Sequence, residues 1–462
     1  MPRTYTERLI LMTMNRFCGE PRRARAGAGI LLMSAMVVVS LVACDPDKLL
    51  DVDSPSRIPA EILEAPENAE LMVNSAIADF ECALGAYIVV SGLIGEELKD
   101  GLQTADRWPY DRRSLTAADR RYQAFDCQSI GTYLPLQTAR ASADRVQRYL
   151  EQWTDAQVGS FNRMRGIGRM ALLGGYSRIY LGEGFCTVAI SYVFGSETTY
   201  GGEISRDSVF KEAEAKFTQA LAAVTSPTDS IRQAALLGRA RARLNLGNFA
   251  GAKADAGAVL PGFVYVATAS ATNSRRENRI WAQNNSNTDA TFVDSATYVA
   301  RNDPRIPVRR DAGTTITGVP RWRQTKYVAA NTPIPVARYE EALLIMAEAD
   351  LALGNVIAAV DTLNKVRARG NRGPLISIDP ATIRAEIIEE RRRELFLEGH
   401  HLGDIVRYNI ALEPAPGQPY HVGGTYGPRT GRTAAMPLPN NERLNNPNVS
   451  DNPAPGDACN ML

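Results

Sequence analysis

Two stretches of this chain repeat one another. The segment AALLGRARARLNLGNFAGAKADAGAVL from Ala234 superimposes on EALLIMAEADLALGNVIAAVDTLNKV from Glu341 at one constant offset. Ala235 falls on Ala342, Leu236 on Leu343, Leu237 on Leu344, Ala240 on Ala347, Ala242 on Ala349, Leu244 on Leu351, Leu246 on Leu353, Gly247 on Gly354, Asn248 on Asn355 and Ala252 on Ala359. A repeat of this kind restricts the fold severely, because each copy is a supersecondary unit that cannot bury its apolar face alone. In each copy a helix runs to Leu-Gly-Asn, where glycine can take the left-handed cap conformation, and a second helix with small residues packs back on the first. A weaker third copy is expected at 171–182. Two clear copies do not make a free-standing solenoid, so the hairpins are expected inside a larger helical domain.

The unit resembles the tetratricopeptide helical hairpin, whose alanines let two helices approach closely. Apolar residues at three- and four-residue spacings predict further helices near 66–94, 142–153, 162–181, 206–223, 230–246 and 248–260. The expected class is therefore mostly α. Irregular stretches rich in Asn, Thr, Gly and Pro lie at about 99–135, 261–337 and 411–462. They are too long for simple connections, and long loops on a helical scaffold commonly carry binding function.

The N-terminus reads as an address. Arg22, Arg23 and Arg25 precede an uncharged run, 30–43, well short of the roughly 20 residues that span a bilayer. This is the pattern of a signal peptide. It ends Leu41-Val42-Ala43-Cys44, a lipobox in which Cys44 accepts a diacylglyceryl group. With an added N-acyl (palmitate) chain this anchors stably, where one chain would not. The expected organisation is a signal peptide at 1–43, a Pro-punctuated tether at 44–60 and one domain at 61–462, its halves dividing near 260. Export places Cys82, Cys127, Cys186 and Cys459 where disulfides form. Three connectivities are open. The expected one joins Cys82 to Cys127, stapling the first irregular stretch to the early helix, and Cys186 to Cys459, tying down the tail. Lys plus Arg number 52 against 51 for Asp plus Glu, so no long-range field gathers nucleic acid. Three histidines leave little imidazole for general-base or metal chemistry.

Further motifs occur in a fixed order: Asp303-Pro304-Arg305, then Lys326-Tyr327, RYEEALLIMAEADLALGN, LNKVRARG (363–370), ERRRELFLEGHHLGDIVRY from Glu390 and MPLPNNERLNNPN from Met436. With the lipobox, these stretches resemble the SusD/RagB family of nutrient-binding outer-membrane lipoproteins. Departures at His401, Leu402-Gly403 and 182–186 mark a divergent member. The resemblance implies a single SusD-like domain, lipid-anchored in the outer membrane and facing the cell surface. It also implies a SusC-type TonB-dependent transporter as partner and an oligosaccharide or peptide ligand. It implies no catalytic activity and no cofactor.

The densest charge lies at 390–407. Glu390, Glu394 and Glu398 are read as one turn apart on a single helix, with Arg391, Arg393 and Arg407 able to pair with them or with Asp404. Interleaved apolar residues demand burial, so this reads as a structural ion-pair network rather than a carboxylate dyad. A metal site from Glu398, His400, His401 and Asp404 is disfavoured, since adjacent helical histidines point apart. Gly95-Glu96-Glu97 with Asp100 reads as an exposed helix end with a solvated acidic face. No nucleophile-elbow, phosphate-loop or dinucleotide motif occurs. The binding candidates are aromatic: Trp108, Tyr110 and Tyr122 in the first irregular stretch, Trp281 and Trp322 in the second. Such rings bury sugar CH surface while neighbouring polar groups bond hydroxyls.

Overall fold

The longest helix, α1 (Ala69–Ile94), is apolar on nearly every face, the mark of an interior helix. By length and composition it could cross a membrane, but its apolar stretch is almost wholly buried in protein. The computed structural model describes residues 63–450 apart from 103–106, 125–126, 129, 196, 286–290, 316–317 and 419–430. After α1 come β1 (Leu98–Asp100), the single turns α2 (Trp108–Asp111) and α3 (Arg120–Gln123), then α4 (Tyr133–Gln152), α5 (Asp155–Val158) and α6 (Arg163–Gly184). Four short strands, β2 (Thr187–Ala189), β3 (Tyr192–Phe194), β4 (Glu197–Thr199) and β5 (Glu203–Ser205), precede α7 (Arg206–Ala223), α8 (Ser230–Asn245) and α9 (Phe249–Gly257). A mixed region follows with β6 (Val264–Ala267), α10 (Arg279–Asn284), β7 (Thr291–Val293), β8 (Val308–Thr314), β9 (Pro320–Gln324) and β10 (Ile334–Arg338). The chain continues through α11 (Tyr339–Ala352), α12 (Val356–Arg369), α13 (Pro380–Glu394), α14 (His401–Tyr408) and α15 (Asn440–Asn445). The architecture is mostly α. Among the described residues the strands form only two-stranded antiparallel ladders, β1–β7, β2–β5, β3–β4, β6–β10 and β8–β9.

Both repeat copies are helical hairpins, α8–α9 and α11–α12. Gly247 and Gly354 sit between the helices at φ 72° and 79°, the left-handed conformation that a Cβ disfavours. Asn248 then caps α9, its side chain accepting from the Gly251 amide at 3.0 Å. The third copy is corrected: 171–182 lies inside the unbroken α6. Its glycines mark close approach instead. A Cβ at Gly175 would stand 2.7 Å from the Phe217 ring of α7, and one at Gly182 would stand 2.7 Å from Phe210. Helix α4 starts earlier than the periodicity suggested, because Pro135 falls in its first turn, where a missing amide costs nothing.

The main core runs from α1 through α4, α6, α7 and α8. A second apolar cluster joins α11, α12 and α13 through Leu344, Leu363, Val366 and Ile387. Beside it lies the charged segment, and here a helix boundary is corrected. Helix α13 ends at Glu394, and Leu397 and Gly399 take left-handed conformations at φ 53° and 77°. Glu398 is therefore not on the helix of Glu390 and Glu394. All three carboxylates are buried, and their principal partners come from far away. Arg305 reaches Glu390 at 2.7 Å and Glu394 at 3.2 Å. Arg338 reaches Glu394 at 2.7 Å and Glu398 at 2.9 Å, and Lys326 reaches Glu398 at 2.5 Å. Within the segment, Asp404 is shared by Arg391 at 2.8 Å and Arg407 at 3.0 Å.

Removing one member strands buried charge of the opposite sign. Glu394→Ala, which leaves both Arg305 and Arg338 short of an acceptor, should lower stability by about 3–5 kcal/mol, measured as a shift of the urea midpoint at unchanged slope.

Candidate functional site

The two irregular stretches meet. β1 pairs with β7 in the register Leu98↔Val293, Lys99↔Phe292 and Asp100↔Thr291. Arg107 donates to Gln283 Oε1 at 2.8 Å, and Gln128 donates to Ser274 Oγ at 2.6 Å. Helix α10, capped by Asn278 accepting from the Trp281 amide at 3.0 Å, is tied in turn to β9. Asn284 Oδ1 accepts from the Gln324 amide at 2.8 Å, and Arg323 donates to Asn284 O at 2.9 Å. Lys99 sits between Asp294 at 3.3 Å and Asp111 at 3.6 Å. Burial alone would lower its pKa, but these carboxylates hold it above the ordinary lysine value. The junction thus carries Trp108 at the start of α2, Trp281 on α10 and Trp322 on β9, all three partly exposed. Trp108 has a guanidinium, Arg112, 5.6 Å from its ring, and its buried Nε1 has no hydrogen-bond acceptor among the described residues.

Two of the five candidate aromatics are corrected. Tyr110 and Tyr122 are fully buried, and their hydroxyls donate to Ile130 O at 2.8 Å and Thr116 O at 3.2 Å. They fasten the first stretch to the scaffold and offer no ring face to a ligand. Cys82 and Cys127 are joined as a disulfide with Cα atoms 5.4 Å apart, linking that stretch to α1. Cys186 is also in disulfide form, while Cys459 and the lipidation candidate Cys44 lie outside the described residues. Two hollows, of about 360 Å³ beside the start of α6 and about 320 Å³ beside α15, are lined by none of the candidate aromatics.

The acidic group after α1 is a further correction. Glu96, Glu97 and Asp100 are buried rather than solvated. Glu96 meets Arg113 at 3.0 Å and Arg392 at 3.4 Å. Glu97 accepts from the Leu397 amide at 2.7 Å. Its other oxygen has no partner among the described residues, and burial pushes its pKa up to about 7. His400 and His401 are buried as well. Burial, with Arg241 beside His400 and Arg392 beside His401, pushes both rings well below the ordinary histidine value, so neither carries a charge at neutral pH. What sequence reasoning missed is that these groups face inward. Their partners stand up to 317 positions away, beyond any local signal.

Glu97 makes stability depend on pH in a definite direction. Its folded pKa lies above the ordinary 4.5, so its contribution is full below that value and is lost as pH rises through about 7. The melting temperature of Glu97→Gln relative to the parent should therefore rise between pH 5 and pH 8, read by paired thermal melts.

Residues 268–455 match the family model described as the SusD family. No curated protein matches the chain. Among solved structures, the chain is similar to a SusD superfamily protein from Bacteroides thetaiotaomicron VPI-5482, at 16% identity and a TM-score of 0.65, covering 84% of this chain and 100% of that one. It is similar to a SusD superfamily protein from Parabacteroides distasonis ATCC 8503, at 12% identity and 0.64, covering 86% and 100%. It is also similar to a SusD-like carbohydrate binding protein from Bacteroides vulgatus ATCC 8482, at 15% identity and 0.61, covering 85% and 99%. At such identities the structures speak for the fold, and the family match speaks for descent. The Asp-Pro-Arg, Lys-Tyr and Glu-Gly-His motifs all fall inside the matched residues, and it is this segment, 268–455, that belongs to the SusD family.

Proposed function

We propose that the chain is a non-catalytic, nutrient-binding lipoprotein of the bacterial outer membrane. It captures oligosaccharides at the cell surface and passes them to a TonB-dependent transporter of the SusC type. The observation that carries this reading is the β1–β7 pairing, which fastens to one another the two distant stretches that hold the partly exposed tryptophans. Stacking on such rings buries the apolar face of a sugar, and a preformed site avoids the entropy of ordering loops. The relative named for carbohydrate binding supports the ligand class. A peptide ligand would use the same rings, and glycans are preferred on that relative alone.

An enzymatic reading finds less support. Carboxyls tuned toward neutrality are what a general acid requires. The two pushed up to about 7, Glu97 and Glu341, are each only 1% exposed and out of reach of a substrate. The anchor rests on the lipobox at Cys44, with the tether 44–60 between lipid and domain.

Trp108→Ala or Trp322→Ala should weaken oligosaccharide binding by about 1–3 kcal/mol with little change in melting temperature, measured by calorimetry and thermal melts against a neutral glycan panel. Turnover of any glycan by the purified chain would instead favour a hydrolase. Cys44→Ser should release the protein from membranes into the soluble fraction, because thioether attachment of the lipid needs the sulfur.

A further inference from the structure

A second hollow differs in chemistry from the tryptophan junction and shares no lining residue with it. It lies between α4, the β3–β4 hairpin with its following Tyr200, and α15, and encloses about 320 Å³, the lower end of the range for small-ligand sites. Tyr200 and Val193 line it and are 44% and 41% exposed. Around them stand Thr138, Asn441 and Asn445. The Asn441 side-chain amide and the Thr138 hydroxyl have no hydrogen-bond partner among the described residues, and Asn445 uses only its Nδ2, toward Asn441 O at 2.7 Å.

The charges in the wall are already occupied. Arg140 donates to Gln137 Oε1 at 2.8 Å, Asp144 at 3.1 Å and Ser191 O at 2.7 Å. Glu442 accepts from Tyr133 at 3.3 Å and from Asn446 at 2.8 Å. An ionic ligand would find no free countercharge, whereas a neutral polyhydroxyl ligand finds free amides and a hydroxyl beside an exposed ring. The walls are also fixed in advance. Asn446 Nδ2 donates to Gly201 O at 2.8 Å and Asn448 Nδ2 to Tyr200 O at 2.6 Å, while Arg443 pairs with Glu203 at 3.1 Å. These bonds bind α15 and the tail behind it to the hairpin region.

We propose that this groove is a second subsite for neutral saccharides, with Tyr200 as its stacking platform and Asn441 and Asn445 as its hydroxyl readers. The proposal rests on the glycan-capture reading. It extends that reading from one contact to two, so that a polymer held at both is retained by avidity.

The test is affinity electrophoresis of the full chain in gels containing glycogen, xylan, galactomannan or, as an acidic control, polygalacturonate. Tyr200→Ala and the double variant Asn441→Ala, Asn445→Ala should each weaken retention on the neutral polymer that retards the parent by roughly tenfold, at unchanged melting temperature. Tyr200→Phe keeps the ring and should retain binding. The double variant Trp108→Ala, Trp322→Ala should keep a residual retardation that disappears when Tyr200→Ala is added. If the groove variants bind as the parent does while the tryptophan variants lose all retention, the second subsite is overturned and the capture reading stands. If the parent is retarded by no neutral polymer, both fall. Retention on polygalacturonate alone overturns the neutral class. Groove variants that lose a protein partner while keeping glycan retention would make this face a protein-docking surface and overturn the proposal.

Discussion

Glu390, Glu394 and Glu398 are three carboxylates held out of water, and cations from distant parts of the chain converge on them. Arg305 and Lys326 come from the mixed region, Arg338 from the end of β10, and Arg372 from the segment after α12 reaches Glu390 at 3.2 Å. Such a network adds modest net stability, because desolvation offsets most of the attraction, but it makes any other arrangement of these segments costly. Arg305 precedes β8 and Lys326 follows β9. The base of the hairpin that presents Trp322 is therefore fixed by charges belonging to α13 and the turn beyond it. Trp322 thus takes its position from an interior network of charges.

The same logic holds on the other side of the junction. Glu96 and Glu97 close the end of α1 against Arg113, Arg392 and the Leu397 amide. Tyr110 and Tyr122 spend their rings on the core and their hydroxyls on backbone carbonyls. The first irregular stretch is thus a fastened structure, held further by the Cys82–Cys127 link. A surface built this way can present tryptophans with little ordering entropy to lose on binding.

Much of the helical scaffold was legible in the amino-acid order, because its determinants are local. The bounds of α7 coincide with the apolar spacing, Ser205 and Asp229 stand as caps where α7 and α8 begin, and the glycines of Leu-Gly-Asn take the conformation that the repeat demanded. The family motifs were legible for the same reason, as contiguous strings. The candidate site was legible only in part. Aromatic content marked the two stretches that meet, but ring type says nothing of which way a ring points, so Tyr110 and Tyr122 could not be told from Trp108.

Sequence alone therefore determined helix class, repeat geometry and capping, since each is settled within one or two helical turns. Tertiary structure decided what depends on residues far apart. It decided that α13 stops at Glu394, that Glu398 answers to Arg338 and Lys326, and that Glu97 turns inward, where burial raises its pKa. It also decided that Thr138, Tyr200 and Asn441 share one groove. The physical reason is that hydrogen bonds along a helix close over four residues, whereas burial and charge pairing are settled by whichever surface the rest of the chain brings alongside.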